Sequence, residues 1–432
     1  MFIHLRKTVS LALAAVFLVA CGNKEESAVG GDAADSAELN VLLGSGASLT
    51  GNIAHLGKDH ENGVRMAIED INAAGWKIGG KTLKLSVMSE DDQGDPKQAS
   101  LVAQKLVDAK VAGVIGHVTS GPTITASQAY NDAGIPQVSP SATNPKYTQQ
   151  GFKGAFRVMA NDIQQGAVLG AYATKQLGAK RIAIIDDRTA YGQGLADEVE
   201  KAAKAAGAEI VTREYTKNDA TDFKAQLTSI KAKKPDAVFY GGMDAQAGPL
   251  AKQAKQLGLT VKLLAGDGGC TPAFMELAGD AAEGAYCSQT GLPLSDMPKG
   301  TDFATRFKEK VGQEVQIYAP YAYDAVFVLA EAMVRANSAD PAVYLPEISR
   351  TSLDGVSGKI EFDHKGDLRN GAVTVYQIKG GKLQVLEVVG GDGPVAQATA
   401  AVQATADVAK EVGAATVKAV TDAASPAVAA TK

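Results

Sequence analysis

Arg181-Ile182-Ala183-Ile184-Ile185-Asp186-Asp187-Arg188-Thr189-Ala190-Tyr191-Gly192-Gln193-Gly194 is the stretch whose reading decides the fold. A short β-branched run gives way to a polar loop. A helical pattern then places Leu195, Val199, Ala202 and Ala206 along one face. Strand, loop, helix is the unit, and it recurs in both directions from this point. Upstream strands are expected at Asn40–Leu43, Leu83–Val87, Ala112–Ile115 and Ile135–Val138, and downstream ones at Glu209–Val211, Asp236–Tyr240 and Lys262–Leu264. Between them lie amphipathic segments such as Val64–Ile71, where Val64, Ala67, Ile68 and Ile71 share a face. Asp95-Pro96 opens another, as an N-cap followed by a first helical residue. Strands alternating with helices predict parallel sheets covered on both faces.

The chain is about twice the length of one ordinary domain, so two lobes are expected. The predicted class is α/β: two doubly wound parallel-sheet lobes joined by a multi-segment hinge. Lobe 1 is assigned to 39–160 plus 292–365, and lobe 2 to 161–291 plus 366–392. Phe156–Met159 leaves the first lobe, Leu292–Pro298 punctuates a return, and a long helix over Tyr321–Ala336 packs back onto it. Lys359–Phe362 and Val373–Ile378 are expected as final strands. The Ala-rich segment 393–432 cannot build a core of its own and reads as disordered or a weak helix.

At the N-terminus, Arg6 and Lys7 precede an apolar run over Val9–Phe17, too short to span a bilayer, and Leu18-Val19-Ala20-Cys21 follows. The junction resembles the lipobox of bacterial lipoprotein signal peptides, in which the cysteine is acylated and becomes the first mature residue. That implies a signal peptide over 1–20 and a lipid-anchored flexible tether over 21–38. It also implies a place in the bacterial cell envelope, on the periplasmic or extracytoplasmic side of a membrane. With Cys21 assigned to lipid, Cys270 and Cys287 read as one disulfide or as two buried thiols, the former suiting an oxidising compartment. A net charge of −5 with no basic block makes nucleic acid an unsuitable partner. There is no CxxC, and His4, His55, His60, His117 and His364 have no ligand spacing, so no metal and no cofactor are expected.

Open parallel sheets bind ligands outside the carboxyl ends of their strands. Here those ends carry glycines, hydroxyls and one acid. Ser120-Gly121-Pro122 reads as an N-cap and helix start whose free amides suit a small anion such as a carboxylate. Ser141, Ala142 and Thr143 supply a neighbouring loop. Asp267, in a glycine-rich turn, suits an ammonium group across the cleft. Tyr191 offers a flat wall with a polar tip, while Leu56 and Met243 are apolar residues in loops of the same kind. A phosphate-loop reading of Gly51–Lys58 fails, since the spacing is wrong and Asp59 replaces Ser/Thr. Neither Gly-x-Ser-x-Gly nor His-Glu-x-x-His occurs, so no enzyme is expected.

Several stretches in this order resemble the leucine/isoleucine/valine-binding proteins, the substrate-binding components of branched-chain amino acid ABC transporters. They are Thr50-Gly51 with Gly57, Ala67–Gly75, Asp91-Asp92 with Asp95–Ala99, Val114–His117, Pro140–Pro145, Asp187 with Tyr191–Gly194, and Phe239–Gly242. The resemblance covers Leu39–Gly391. It implies the type I periplasmic binding protein fold and a monomer that captures an amino acid between its lobes and delivers it to a membrane permease. It also implies that Ser120, Ser141, Ala142 and Thr143 hold the zwitterionic head, that Asp267 meets the amine and that Tyr191 packs on the ligand. Leu56 and Met243 stand where the best-known members carry tyrosines, and Gly94 and Thr119 where they carry a disulfide. The alternative is a receptor domain of the same fold sensing a small amide or other ligand.

Overall fold

The structure, a computed structural model, describes residues 37–391. The predicted signal peptide, the acylated Cys21, nearly all of the tether and the Ala-rich tail lie outside the described residues. In chain order, the first half contains β1 (Glu38–Ala47), α1 (Ala54–Ala74), β2 (Lys77–Ile78), β3 (Lys81–Asp91), α2 (Pro96–Asp108), β4 (Val114–Gly116), α3 (Ser120–Asp132), β5 (Gln137–Ser139), α4 (Lys146–Gln149) and β6 (Ala155–Arg157). Their strands form one sheet in the order β2-β3-β1-β4-β5-β6, parallel except where β2 meets β3. The second half contains α5 (Asp162–Ala171), β7 (Arg181–Asp186), α6 (Ala190–Ala205), β8 (Glu209–Tyr215), α7 (Lys224–Ala232), β9 (Ala237–Gly241), α8 (Asp244–Gln256), β10 (Lys262–Ala265), α9 (Pro272–Ala278) and β11 (Tyr286–Gln289).

The chain then returns. Helices α10 (Gly300–Val311), α11 (Ala319–Ala336) and α12 (Pro341–Ile348) join the core of the first half, with α11 packed along α1. The short β12 (Leu353–Asp354) and β13 (Lys359–Ile360) pair only with each other. The expected strand at Lys359–Phe362 is therefore a corner of the first half, and it joins neither main sheet. β14 (Val373–Lys379) and β15 (Lys382–Val389) complete the second sheet, in the order β15-β14-β11-β10-β9-β7-β8. β14 is antiparallel to β11 and β15 to β14, so the second sheet is mixed where a parallel one was predicted. β14 and β15 form a hairpin, which needs no crossover helix, whereas β11 and β14 are joined by the long return through α10, α11 and α12.

Local chemistry sets the helix starts. Asp95 accepts hydrogen bonds from the amides of Lys97 and Gln98, with Pro96 as the first residue of α2, as the sequence indicated. Leu101 stays 65% exposed on the outer face of α2, while Val102, Ala103 and Leu106 are buried. Asn161 and Gln164 form a reciprocal capping box that starts α5. The chain passes between the halves near residues 158–161, 290–292 and 368–372, which lie against one another. Thr374 donates to the Gly291 carbonyl at 2.6 Å, and a Cβ on Gly371 would come within 2.8 Å of Ala160. Among the described residues no helix is long and apolar enough to cross a membrane.

Candidate functional site

The loops that follow the strands of both sheets meet across a cleft. Asn144 of the first half donates from Nδ2 to the Ala190 carbonyl at 2.6 Å. Asn52 donates to the Asn218 carbonyl at 3.2 Å, and the His55 ring nitrogen Nε2 lies 2.8 Å from Asp244 Oδ2. Tyr318 Oη, at the start of α11, donates to Asp267 Oδ2 at 2.8 Å.

Asp267 is the centre of the second half's contribution. It is 1% exposed, in a single 3-10 turn after β10. Tyr191 donates to its Oδ1 at 2.9 Å, while Tyr191 Oη itself accepts from the Gly268 amide at 2.9 Å. Burial pushes the Asp267 carboxyl up, against the pull of Tyr318, Tyr191 and Gln165. Burial and the Asp267 charge hold both phenols well above the ordinary tyrosine range, so each stays a donor. Glycine is required at 268, because a Cβ there would sit 2.6 Å from Met243 Sδ and 2.9 Å from Tyr191 Cε1. Three residues on, Cys270 is bridged to Cys287 of β11 with a Cα–Cα distance of 5.4 Å, which ties the Asp267 turn to the sheet.

The first half supplies the N-terminus of α3. Here the structure corrects the sequence reading. Ser120 is the first helical residue, not the N-cap; Thr119 occupies the cap and makes no side-chain capping bond. Ser120 Oγ instead accepts the Asn144 amide at 3.2 Å. The first-turn amides of Ser120 and Gly121 have no carbonyl a turn earlier to bond, and Pro122 has no amide at all. The neighbouring loop is built for rigidity. Ser141 Oγ donates to the Val118 carbonyl at 2.8 Å, so this hydroxyl is committed to the loop. The Ala142 amide donates to Ser139 Oγ, and its carbonyl accepts from Arg157 at 2.7 Å. Arg157 is fully buried, also bonds the Asn144 carbonyl, and pairs with Asp367. Thr143 is different: its carbonyl accepts the Asp162 amide, but its buried hydroxyl makes no hydrogen bond of good geometry among the described residues.

Asp162 lies beside this hydroxyl at the start of α5. Neither of its carboxylate oxygens has a partner of good geometry among the described residues. Burial pushes it up to about 8, with the Asp267 charge adding to the rise and the Thr143 hydroxyl and Arg157 easing it. Two buried acids thus share the cleft. Such an arrangement is at its most favourable with a cation between the halves.

Tyr191 and Asp267 are therefore bonded directly, and Ser120 is joined through Asn144 to Ala190, the neighbour of Tyr191. Met243 is the N-cap of α8 and packs against the cores of both halves. Leu56 is corrected: it belongs to α1, not a loop, is fully buried in the first core, and is not among the residues lining the cleft cavity described below. Sequence reasoning missed Tyr318, Asp162 and Arg157. A usable signal existed for each. Pro320 marks a helix start beside Tyr318, Asn161 and Gln164 form a capping box around Asp162, and Arg157 is a charge inside an apolar strand. Tyr318 is itself anchored by Asp59, whose carboxylate accepts the amides of residues 316–319 at 2.7–3.1 Å.

A sequence profile described as "Periplasmic binding protein" matches residues 41–382. An "Amino acid binding protein" from Pseudomonas aeruginosa is 37% identical over 340 residues, covering 78% of this chain and 90% of that protein. Among solved structures, a leucine-binding protein from Thermotoga maritima aligns with a TM-score of 0.74 at 31% identity, covering 81% of this chain and 98% of that one. A branched-chain amino acid transporter substrate-binding protein from Streptococcus pneumoniae, solved with isoleucine, aligns with a TM-score of 0.73 at 28% identity, covering 82% and 100%.

Proposed function

Since the chain belongs to the periplasmic binding protein family, we propose that it is the amino-acid-capturing component of an ABC importer and hands its ligand to a membrane permease. It binds solute and is not an enzyme. The observation that carries the amino-acid reading is Asp267: a fully buried carboxylate whose two oxygens are collected by tyrosines from opposite halves. A buried carboxylate is best offset by a cation. The ligand ammonium sits against Asp267, with Asp162 nearby. The ligand carboxylate goes to the N-terminus of α3, where the Ser120 and Gly121 amides and the helix dipole favour an anion, and Thr143 Oγ1 supplies a further polar contact.

Because Tyr318 and Ser120 belong to one half and Tyr191 and Asp267 to the other, ligand is bound fully only when the halves meet. Ligand shifts the population toward that arrangement through contacts an open form lacks. The closed shape, held near the membrane by the lipid on Cys21, is what the permease recognises. Similarity to a leucine-binding protein and to a substrate-binding protein solved with isoleucine supports a ligand among branched-chain or related amino acids. Titration calorimetry against the twenty amino acids and simple primary amides tests this. Binding of at least one amino acid and no amide supports it, and binding of amides alone refutes it.

A further inference from the structure

A cavity of about 850 Å³ lies between the two halves, lined by Thr119, Gly121 and Asn144 of the first and by Tyr191 and Met243 of the second. Its first-half wall includes the N-terminus of α3, whose first-turn amides are free for the ligand carboxylate. Behind that wall the first half buries a chain of polar side chains. Asp92, His117 and Tyr130 are 0%, 0% and 1% exposed, and none of them lines the cavity. His117 Nδ1 lies 2.7 Å from Asp92 Oδ2, and its Nε2 lies 3.0 Å from Tyr130 Oη. A carboxylate only accepts, so Nδ1 carries a proton there. Burial, reinforced by the Asp92 charge, holds the Tyr130 phenol above the ordinary range, so it keeps its proton and donates it to Nε2. Asp92 accepts Ser48 Oγ at 2.9 Å and the Gly94 amide at 2.8 Å through its other oxygen. Burial works to raise this carboxyl, but the bonds from His117, Gly94 and Ser48 outweigh it and hold it below the usual carboxylate range.

The chain joins segments that are far apart in sequence. Ser48 follows β1, Asp92 follows β3, His117 follows β4, and Tyr130 is in the last turn of α3. The His117 ring also lies against the backbone of β1, since a Cβ on Gly46 would come within 2.4 Å of it. The His117 carbonyl accepts from Thr123 Oγ1 at 3.0 Å and from Ser139 Oγ at 3.3 Å, which adds α3 itself and the end of β5. Helix α3 is thus held at two points. One is the segment 117–119 that leads into it; the other is Tyr130, about 15 Å farther along the axis than Ser120. Two fixed points set a direction as well as a position. Direction matters here because an amide hydrogen bond weakens steeply as it bends, and the helix dipole acts only near the first turn.

We infer that Asp92, His117 and Tyr130 are positioning residues for ligand recognition: without touching the ligand, they aim the N-terminus of α3 at its carboxylate. The inference rests on the placement of the carboxylate at α3 and names what enforces it. A chain that only stabilised the fold would act alike on every ligand. A chain that aims the anion subsite acts on ligands that carry the anion.

The test is calorimetric titration of the full chain with leucine and with leucinol, which keeps the ammonium and the side chain but carries a CH2OH group in place of the carboxylate. The wild type is expected to favour leucine by at least about tenfold, the order of charge-assisted hydrogen bonds. Tyr130→Phe keeps the ring and removes one hydroxyl at a point remote from the cavity; His117→Gln removes the link itself. Each is expected to narrow the leucine-to-leucinol ratio by about threefold or more, through weaker leucine binding, with the Kd for leucinol little changed. A ratio within about twofold of wild type in both variants overturns the inference alone. The underlying reading fails separately: a wild type that binds leucine and leucinol equally, or neither, overturns the placement of the carboxylate and the inference with it. Circular dichroism and melting of each variant establish that it is folded before its ratio is interpreted.

Discussion

Replacing Asp267 with asparagine conserves shape and removes one charge at the point where Tyr191 and Tyr318 converge. The side chain is 1% exposed, and its oxygens lie 2.9 and 2.8 Å from the two phenols. In the complex, the ligand ammonium would then be buried beside a neutral amide. Leaving one partner of a buried ion pair uncompensated costs about 3–5 kcal/mol. At about 1.4 kcal/mol per tenfold, Kd rises roughly a hundredfold to several thousandfold. Tyr318→Phe removes a single donor to the same carboxylate, a charge-assisted bond worth about 1.5–3 kcal/mol, so its expected loss is roughly ten- to a hundredfold. The two variants should therefore rank in that order. Thermal melting separates the effect from misfolding. Burial raises the Asp267 carboxyl, so neutralising it relieves a buried charge, and ligand-free Asp267→Asn should melt no lower than wild type. The assay is titration calorimetry with the tightest-binding amino acid. A Kd for Asp267→Asn within about threefold of wild type refutes the placement of the ammonium.

Other outcomes follow from the same geometry. Burial works against the charge on His55, but the Asp244 bond and charge, with Asp59, outweigh it and raise its pKa in the closed form. The closed form thus holds the proton more tightly than an open one. Affinity should be greatest below about pH 6.5 and decline as pH rises through the raised value, and His55→Gln should flatten the difference; identical Kd–pH slopes in the two proteins would exclude His55 as a latch. Substituting serine for both Cys270 and Cys287, 17 residues apart, should cost about 3 kcal/mol in denaturant unfolding; unchanged stability, or two free thiols in mass mapping, would show that the bridge contributes nothing. Small-angle scattering should give a smaller radius of gyration once the cognate amino acid is added. Binding without compaction would argue against closure of the two halves on the ligand.

Sequence alone determined the parts of this protein that depend on neighbours along the chain. The 2- and 3.6-residue periods fixed strands and helices because each element needs one apolar face. Asp95-Pro96 placed the start of α2, because a capping carboxylate and a ring that lacks an amide act within one turn. The strand ends were legible as well, and Asp267, Tyr191 and Thr143 lie just beyond β10, β7 and β5, where ligand loops in such sheets are expected. What the tertiary structure decided are relations between distant segments. Tyr318 reaches Asp267 only because α11 returns to the first half while Asp267 stays on the second. Leu56 moved from a supposed loop into the first core once α1 had a partner in α11, and Ser141 spent its hydroxyl on Val118, 23 residues away. β14 pairs antiparallel with β11 only because the chain re-enters the second half after its return through α10–α12, and β15 then folds back on it as a hairpin. A lone side chain carries its chemistry in the sequence. Whether that chemistry is free for a ligand depends on which partner reaches it first, and only the packed chain fixes that.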